Sequence, residues 1–240
     1  MTYEDRILIE LKAWKRRMLR SPGVFNALSK KVQDKINSWI PEKVHKGITV
    51  TMKQLIRAVL FGSQHTTREK LPYETMVAMD LAAQEKIKNY RNTATAEGAI
   101  TGAGGILLGL ADFPILLAIK IKLLYEIAAI YGYDTSDYKE RLYILYIFQL
   151  AFSSAKHRKK VFMEMVEWDK KSHELPKDID QFNWRSFQQE YRDYIDLAKM
   201  AQLIPVIGAP VGAVANFQLL KKLGRTAIFA YHMRWAEKKS

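Results

Sequence analysis

A chain of 240 residues that is 48% hydrophobic and 26% charged has the apolar content for one sizeable buried core, which excludes disorder as its main character. Its mean hydropathy of -0.20 excludes a polytopic membrane protein, and the absence of cysteine excludes disulfides, thiolate catalysis and cysteine-bound metals. With 38 Lys and Arg against 25 Asp and Glu, the net charge of +13 points to anionic partners such as phospholipid head groups, nucleic acid or an acidic protein face.

The first segment, "MTYEDRILIELKAWKRRMLR", has no uninterrupted apolar core of the kind a secretory signal needs, so the protein is expected to stay in the cytoplasm. Ile7, Leu11, Trp14 and Met18 fall on one helical face, while Lys12, Lys15, Arg16, Arg17 and Arg20 crowd the rest. That is a basic amphipathic helix, ended by "SPG" at 21 to 23. Val24 to Ile40 repeats the pattern before Pro41, and a third helix is predicted over Glu42 to Phe61. These elements make up an N-terminal region, 1–72, that closes with the polar loop "GSQHTTREKLP".

The remainder, 73–240, belongs to the same domain and holds the apolar, glycine-rich segments. Helical spacing runs from Tyr73 to Asn92, and beyond Pro114 a helix is predicted to reach Tyr131, with Gly132 of "YGYD" as the residue just past its end. Further helices are predicted to begin near Ser136 and to cover Tyr138 to Ser154 and Arg158 to Lys171. "SHELPKDIDQFN" reads as loop, Trp184 to Leu203 as helix, and Val214 to Glu237 as the closing helix. No period-two alternation is sustained anywhere, so the fold class is all-α in a single multi-helix domain.

Between these helices lies "GAITGAGGILLGLADFPILLAI" (98 to 119). In a helix interior each glycine is worth roughly 0.8 to 1 kcal/mol less than alanine, so something must offset the run. Gly98, Gly102, Gly105 and Gly109 recur at spacings that put them on one bare helical stripe, along which another backbone can come close. A second small-residue segment, "QLIPVIGAPVGAVANF", is interrupted by Pro205, Gly208, Pro210 and Gly212 and supplies a partner surface within the same chain. Packing of the two segments in the core is the first reading. Entry into the bilayer as a hairpin is the second, since the run is about long enough to span. Asp112 opposes a clean span, because a carboxylate at mid-bilayer costs of order 2.5 to 3.5 kcal/mol. A phosphate loop fails, because Leu110 and Ala111 stand where a Walker motif needs Lys and Ser or Thr.

These same segments resemble the EcsC family. The likeness is carried by Glu97-Gly98, "GAGG" (102 to 105), Gly109, "ADFP" (111 to 114), "AAIYGYD" (128 to 134), "IPVIGAPVGAVANF" (204 to 217) and "GRTAIFAYHMR" (224 to 234), and covers roughly residues 75 to 235. The family's founding member is encoded beside an ATP-binding-cassette (ABC) transporter of Gram-positive bacteria. The resemblance therefore implies a cytoplasmic or membrane-peripheral protein linked to such a transporter, and it implies no catalytic activity.

A search for chemistry finds little. The five histidines never fall three or four apart, so no helical zinc motif exists. Glu164 and Glu167 lack an accompanying E-x-x-H, and no G-x-S-x-G elbow is present. No metal or cofactor is expected. Asp112 is the foremost candidate for a special carboxylate, with Asn216 as its polar counterpart, but an Asp two residues before Pro114 also reads as a helix terminator and N-cap. Glu97 and Arg225 read as surface or ion-pair residues. Basic clusters at Lys12 to Arg20 and at Lys156, Arg158, Lys159 and Lys160 are candidates for an anionic membrane surface. Nucleic acid is a poorer fit, because no helix-turn-helix, RNP-like or zinc module appears. The expected function is a non-catalytic accessory protein at the inner leaflet. The alternative is a hydrolase for a lipid-like or peptide substrate with a buried site at Asp112 and Asn216.

Overall fold

A computed structural model of the chain describes residues 1–20, 42–61, 73–101, 105–154, 157–183 and 208–239, with 185, 187 and 189 besides. Within those spans the side chains of residues 42–45, 61, 93–101, 105–112 and 208–216 lie outside the description. The described residues form eight α-helices and no strand: α1 (Tyr3–Leu19), α2 (Glu42–Phe61), α3 (Met76–Thr101), α4 (Gly105–Ile130), α5 (Tyr138–Phe152), α6 (Arg158–Met165), α7 (Trp168–Glu174) and α8 (Gly208–Lys238), plus a 3-10 turn at Ile179–Gln181. The chain is therefore all-α, around one contiguous core to which every helix contributes. The expected helix over 24–40, Pro205, and the expected helix over 184–203 apart from residues 185, 187 and 189 lie outside the described residues.

α1 starts on a capping box in which Thr2 Oγ1 accepts from the Asp5 N–H at 3.1 Å and the Asp5 carboxylate accepts from the Thr2 N–H at 2.8 Å. It buries Ile7, Leu11 and Trp14, as its spacing predicts. Trp14 stacks on Phe229 of α8 at 5.3 Å and meets the edge of Phe162 of α6 at 5.5 Å, which fixes α1 across both. α2 has the predicted bounds and turns Ile48, Met52, Ile56, Val59 and Leu60 inward. Its last carbonyls would be orphaned in the interior. Arg141 of α5 satisfies one of them, donating Nε and Nη2 to Leu60 O at 3.1 and 2.8 Å while Nη1 reaches Thr135 O and Ser136 O.

Three boundaries correct the sequence reading. Asp112 and Pro114 do not break the chain, because α4 runs through both, so Asp112 is no N-cap. An internal proline costs a helix about 3 kcal/mol, whereas burying Phe113, Leu116, Leu117 and Leu124 contributes roughly 6 to 12. Pro114 itself is exposed. Gly208, Pro210 and Gly212 likewise lie within α8 rather than interrupting it. The single helix expected over Arg158 to Lys171 is two, parted at Glu167, whose φ is 54°. That left-handed residue costs about 1 to 2 kcal/mol and swings Trp168 into the core against Tyr143 and Tyr146.

α3 and α8 form the most extensive helix pair, and they run antiparallel. Asp80 meets His232, Ile87 lies against Gly224, and Arg91 covers the ring of Phe217 at 3.7 Å. Each step forward along α3 is matched by a step back along α8. Whether the glycine stripes themselves meet further along falls on residues 93–112 and 208–216, outside the described side chains. Among the described residues, no helix is long and apolar enough to cross a membrane.

Candidate functional site

"AAIYGYD" ends α4 and aims two rings. Gly132 takes φ 80°, a conformation glycine adopts without penalty. The Gly132 N–H reaches Ala129 O and the Tyr133 N–H reaches Ala128 O, both at 3.0 Å, which is the double hydrogen bond of a Schellman turn. The turn folds Tyr131 and Tyr133 back onto α8, where both stack with Tyr231, at 5.3 and 5.1 Å. Tyr133 also lies beneath the guanidinium of Arg234, at 3.8 Å.

Beside this aromatic stack sits a buried polar centre. Asp80 of α3 accepts from the Tyr3 hydroxyl at 2.7 Å, from His232 Nε2 at 2.7 Å and, through a short bond, from the Tyr131 hydroxyl. Since a carboxylate only accepts, Nε2 carries the hydrogen of its bond. Burial pushes the Asp80 carboxyl up, but the hydrogen bonds from His232, Tyr131 and Tyr3 outweigh it and hold the group below the usual carboxylate range. The contribution of this ionised form to stability is present above pH about 4 and is lost as the pH falls toward its lowered pKa. His232 Nδ1 is buried and has no hydrogen-bond partner among the described residues.

The tyrosines respond in the opposite sense. Burial pushes Tyr125 to about 12, and burial with the Asp80 contacts pushes Tyr3 to about 12. Tyr131, Tyr143 and Tyr231 are raised as well, each chiefly by burial. Their stabilising contribution is complete below the unfolded value of about 10 and is lost as pH rises above it. Phenolate absorbance is therefore expected to rise together with loss of helical circular dichroism above about pH 10. A complete tyrosine titration at constant helicity would contradict this burial.

Above Asp80 and His232 opens a cleft of about 990 Å³ bounded by α1, α3 and α8. Its floor is the buried Ile7, Ile87, Ile228 and Phe229. Arg6, Lys88, Lys221 and Arg225 stand exposed around it, and among the described residues no carboxylate lies within 4.0 Å of any of them. Glu10 and Glu85 share the lining without pairing to these cations. The described lining residues include no serine, threonine or cysteine.

The residues singled out from sequence are distributed differently. Asp112 lies within α4, Asn216 within α8 and Glu97 within α3, with their side chains outside the description. The same holds for Gly98, Gly105 and Gly109, while Gly102 and Lys156 are not described at all. Two basic clusters are brought together: Arg158 at the start of α6 donates to Arg20 O at the end of α1, at 3.2 Å. Lys12, Arg16, Arg17, Arg20 and Lys159 are exposed there, and Lys15 is ion-paired with Glu237 at 3.9 Å. Sequence reasoning missed Asp80, Tyr131 and His232. A signal existed, because Asp80 shares the inward stripe of Met76, Ala83 and Ile87, where an acid requires partners. Among the described residues no group of His, Asp and Glu side chains is arranged to hold a metal ion.

Residues 5–236 match the EcsC protein family. The chain belongs to this family. It is 43% identical over 235 residues to "Protein EcsC" of Bacillus subtilis (strain 168), covering 98% of this chain and 97% of that one. It is 30% identical over 214 residues to "Uncharacterized protein YdbA" of the same organism, covering 81% of this chain and 79% of the relative. No solved structure gives a significant match. In this EcsC-family chain, the segments 128–134 and 224–234 meet beside α3: Tyr131 and His232 converge on Asp80, and Tyr133 lies under Arg234.

Proposed function

We propose that this EcsC-family protein is a non-catalytic interaction protein that works at the cytoplasmic face of a membrane. The observation that carries the reading is the outer face of α1. Leu8, Lys12, Arg16 and Leu19 recur at helical spacing opposite the buried Ile7, Leu11 and Trp14, and all four are exposed. Ile9 adjoins them at 60% exposure, so the face mixes apolar and cationic side chains as interfacial helices do. The Arg158 to Arg20 bond extends it onto α6, with Lys159 and the exposed Met163. At about 1 kcal/mol per cation near an anionic surface, four or five cations give reversible attachment rather than permanent insertion. Service to an ABC transporter rests on the family resemblance. The hydrolase alternative at Asp112 and Asn216 has no described side-chain geometry behind it.

Co-sedimentation with phosphatidylglycerol and phosphatidylcholine vesicles tests the reading. Pelleting is expected only with the anionic lipid and is expected to fall as salt shortens the Debye length from about 10 Å at 0.1 M to about 3 Å at 1 M. Arg16→Glu with Arg17→Glu and Lys159→Glu should weaken it at least about tenfold. Equal recovery in the supernatant for both vesicles overturns membrane attachment. Site-specific photocrosslinking from α1 in cells is expected to trap transporter subunits, and labelling of lipid alone overturns that half.

A further inference from the structure

We propose that the cleft between α1, α3 and α8 binds one amphiphilic phosphate monoester, its head group among Arg6, Lys88, Lys221 and Arg225 and its tail along Ile7, Ile87, Ile228 and Phe229. The site is distinct from the outer face of α1, since Tyr3, Arg6, Ile7 and Glu10 face the cleft whereas Lys12 and Arg16 follow the opposite side of the helix.

Three observations converge. First, the contact of Ile87 with Gly224 puts Lys88 and Arg225, their immediate neighbours in sequence, at one level on facing helices. Lys221 lies one turn from Arg225, and Arg6 approaches from the third wall. Like charges gathered with no carboxylate partner among the described residues repel one another, and an anion between them relieves that repulsion. The nearby acids do not substitute for it: Asp80 is committed to three donors below, and Glu10 and Glu85 form no ion pair with the four cations. Second, the number of cations suits a dianion better than a carboxylate. A phosphate monoester carries a charge of about -1.5 to -2 at neutral pH and offers three acceptor oxygens to arginine and lysine donors. Third, the floor is apolar and Leu81 stands on the rim at 62% exposure, a surface with nothing to offer a free inorganic ion. A cavity of about 990 Å³ is in the range that encloses a small molecule rather than an ion alone.

The polar centre below gives the site a fixed shape. Tyr3 ties the first turn of α1 to Asp80, and His232 ties α8 to the same carboxylate, so the three walls are held by one side chain. The ligand is either a membrane lipid drawn partly out of the leaflet or a soluble phosphorylated amphiphile, and the chemistry recognised is the same.

Calorimetric titration of the full chain with lysophosphatidate below its micellar concentration, with inorganic phosphate and with lysophosphatidylcholine tests this. Saturable one-to-one binding is expected for lysophosphatidate, with at least about tenfold weaker binding of the other two. Lys88→Glu with Arg225→Glu is expected to weaken it by about a hundredfold while leaving the melting temperature within a few degrees, because both side chains are exposed. Absence of saturation, or affinity unchanged in the double variant, overturns the site. Equal affinity for inorganic phosphate overturns the tail's part in it. The source of the ligand is read by extraction from phosphatidate vesicles: appearance of one lipid per protein in the soluble fraction marks a membrane lipid, and binding confined to added lysophosphatidate marks a soluble one. Vesicle pelleting that survives the double variant leaves surface attachment intact, so the two readings fail separately.

Discussion

Replacing Arg234 by methionine is expected to lower the free energy of unfolding by about 3 to 5 kcal/mol. Its side chain is 3% exposed and joins three helices. Nη1 and Nη2 form a forked pair with the Glu140 carboxylate of α5 at 2.5 and 2.7 Å, and Nε reaches Asp169 of α7 at 2.8 Å. The plane of the guanidinium lies over Tyr133 at 3.8 Å and Tyr143 at 4.8 Å. Burial opposes its charge, yet the Glu140 hydrogen bonds and charge outweigh burial, and its pKa is raised. Methionine fills much of the volume but leaves Glu140, 15% exposed, without the guanidinium that pairs it, and Asp169, 34% exposed, held by Lys238 at 3.5 Å in place of the fork. A small domain has about 5 to 15 kcal/mol in all, so the variant is expected to unfold at markedly lower urea. Arg234→Lys keeps the charge and loses the fork, so its loss should be intermediate. Adding Glu140→Gln and Asp169→Asn to Arg234→Met is expected to recover part of the stability, because the penalty lies in the carboxylates that lose the guanidinium. A loss below about 1 kcal/mol in the single variant, by urea titration, removes Arg234 from its place in the fold.

What sequence alone conveyed was local. The stripe of Ile7, Leu11 and Trp14, the bounds of α2 and the position of Gly132 follow from spacing and from one backbone preference, and each holds in the structure. Asp112 and Pro114 were misleading for the converse reason: local rules end a helix there, and the burial of the residues that follow outweighs them. The candidate site was least legible. Tyr3 and Asp80 are 77 residues apart, and Asp80 and His232 are 152 apart, so no window contains the pair. The segments "AAIYGYD" and "GRTAIFAYHMR" were visible as motifs, but nothing in either states that the other is its partner. Nor does charge counting distinguish Arg225, which has no ion pair among the described residues, from Lys15, which is paired with Glu237.

The antiparallel register of α3 and α8 leads to the second large effect. A Cβ built on Gly224 would stand 2.4 Å from Cδ1 and from Cγ1 of Ile87 and 3.2 Å from Cγ2, well inside the 3.5 to 4.0 Å at which carbon atoms rest. Cγ1 and Cγ2 crowd the new methyl as well as the tip Cδ1, so rotating the end of the Ile87 side chain does not clear it. Gly224→Ala therefore sets about 1 kcal/mol gained in helix propensity against about 1 to 3 lost to overpacking. Gly224→Val adds bulk without the same propensity gain and is expected to cost about 3 kcal/mol. Ile87→Ala alone opens a cavity worth about 2 to 5. Combined with Gly224→Ala it should cost about 1 to 2 kcal/mol less than the two changes summed, because the new methyl enters the vacated space. Strict additivity would mean that the helices do not meet there. The same register, continued away from the cleft, is expected to bring Gly98 opposite Gly212, and the absence of native cysteine makes the continuation testable. Gly98→Cys with Gly212→Cys is expected to form a disulfide on mild oxidation, which requires Cα atoms within about 7 Å. A pair that stays reduced while the helices remain folded would show that the glycine stripes serve something other than each other.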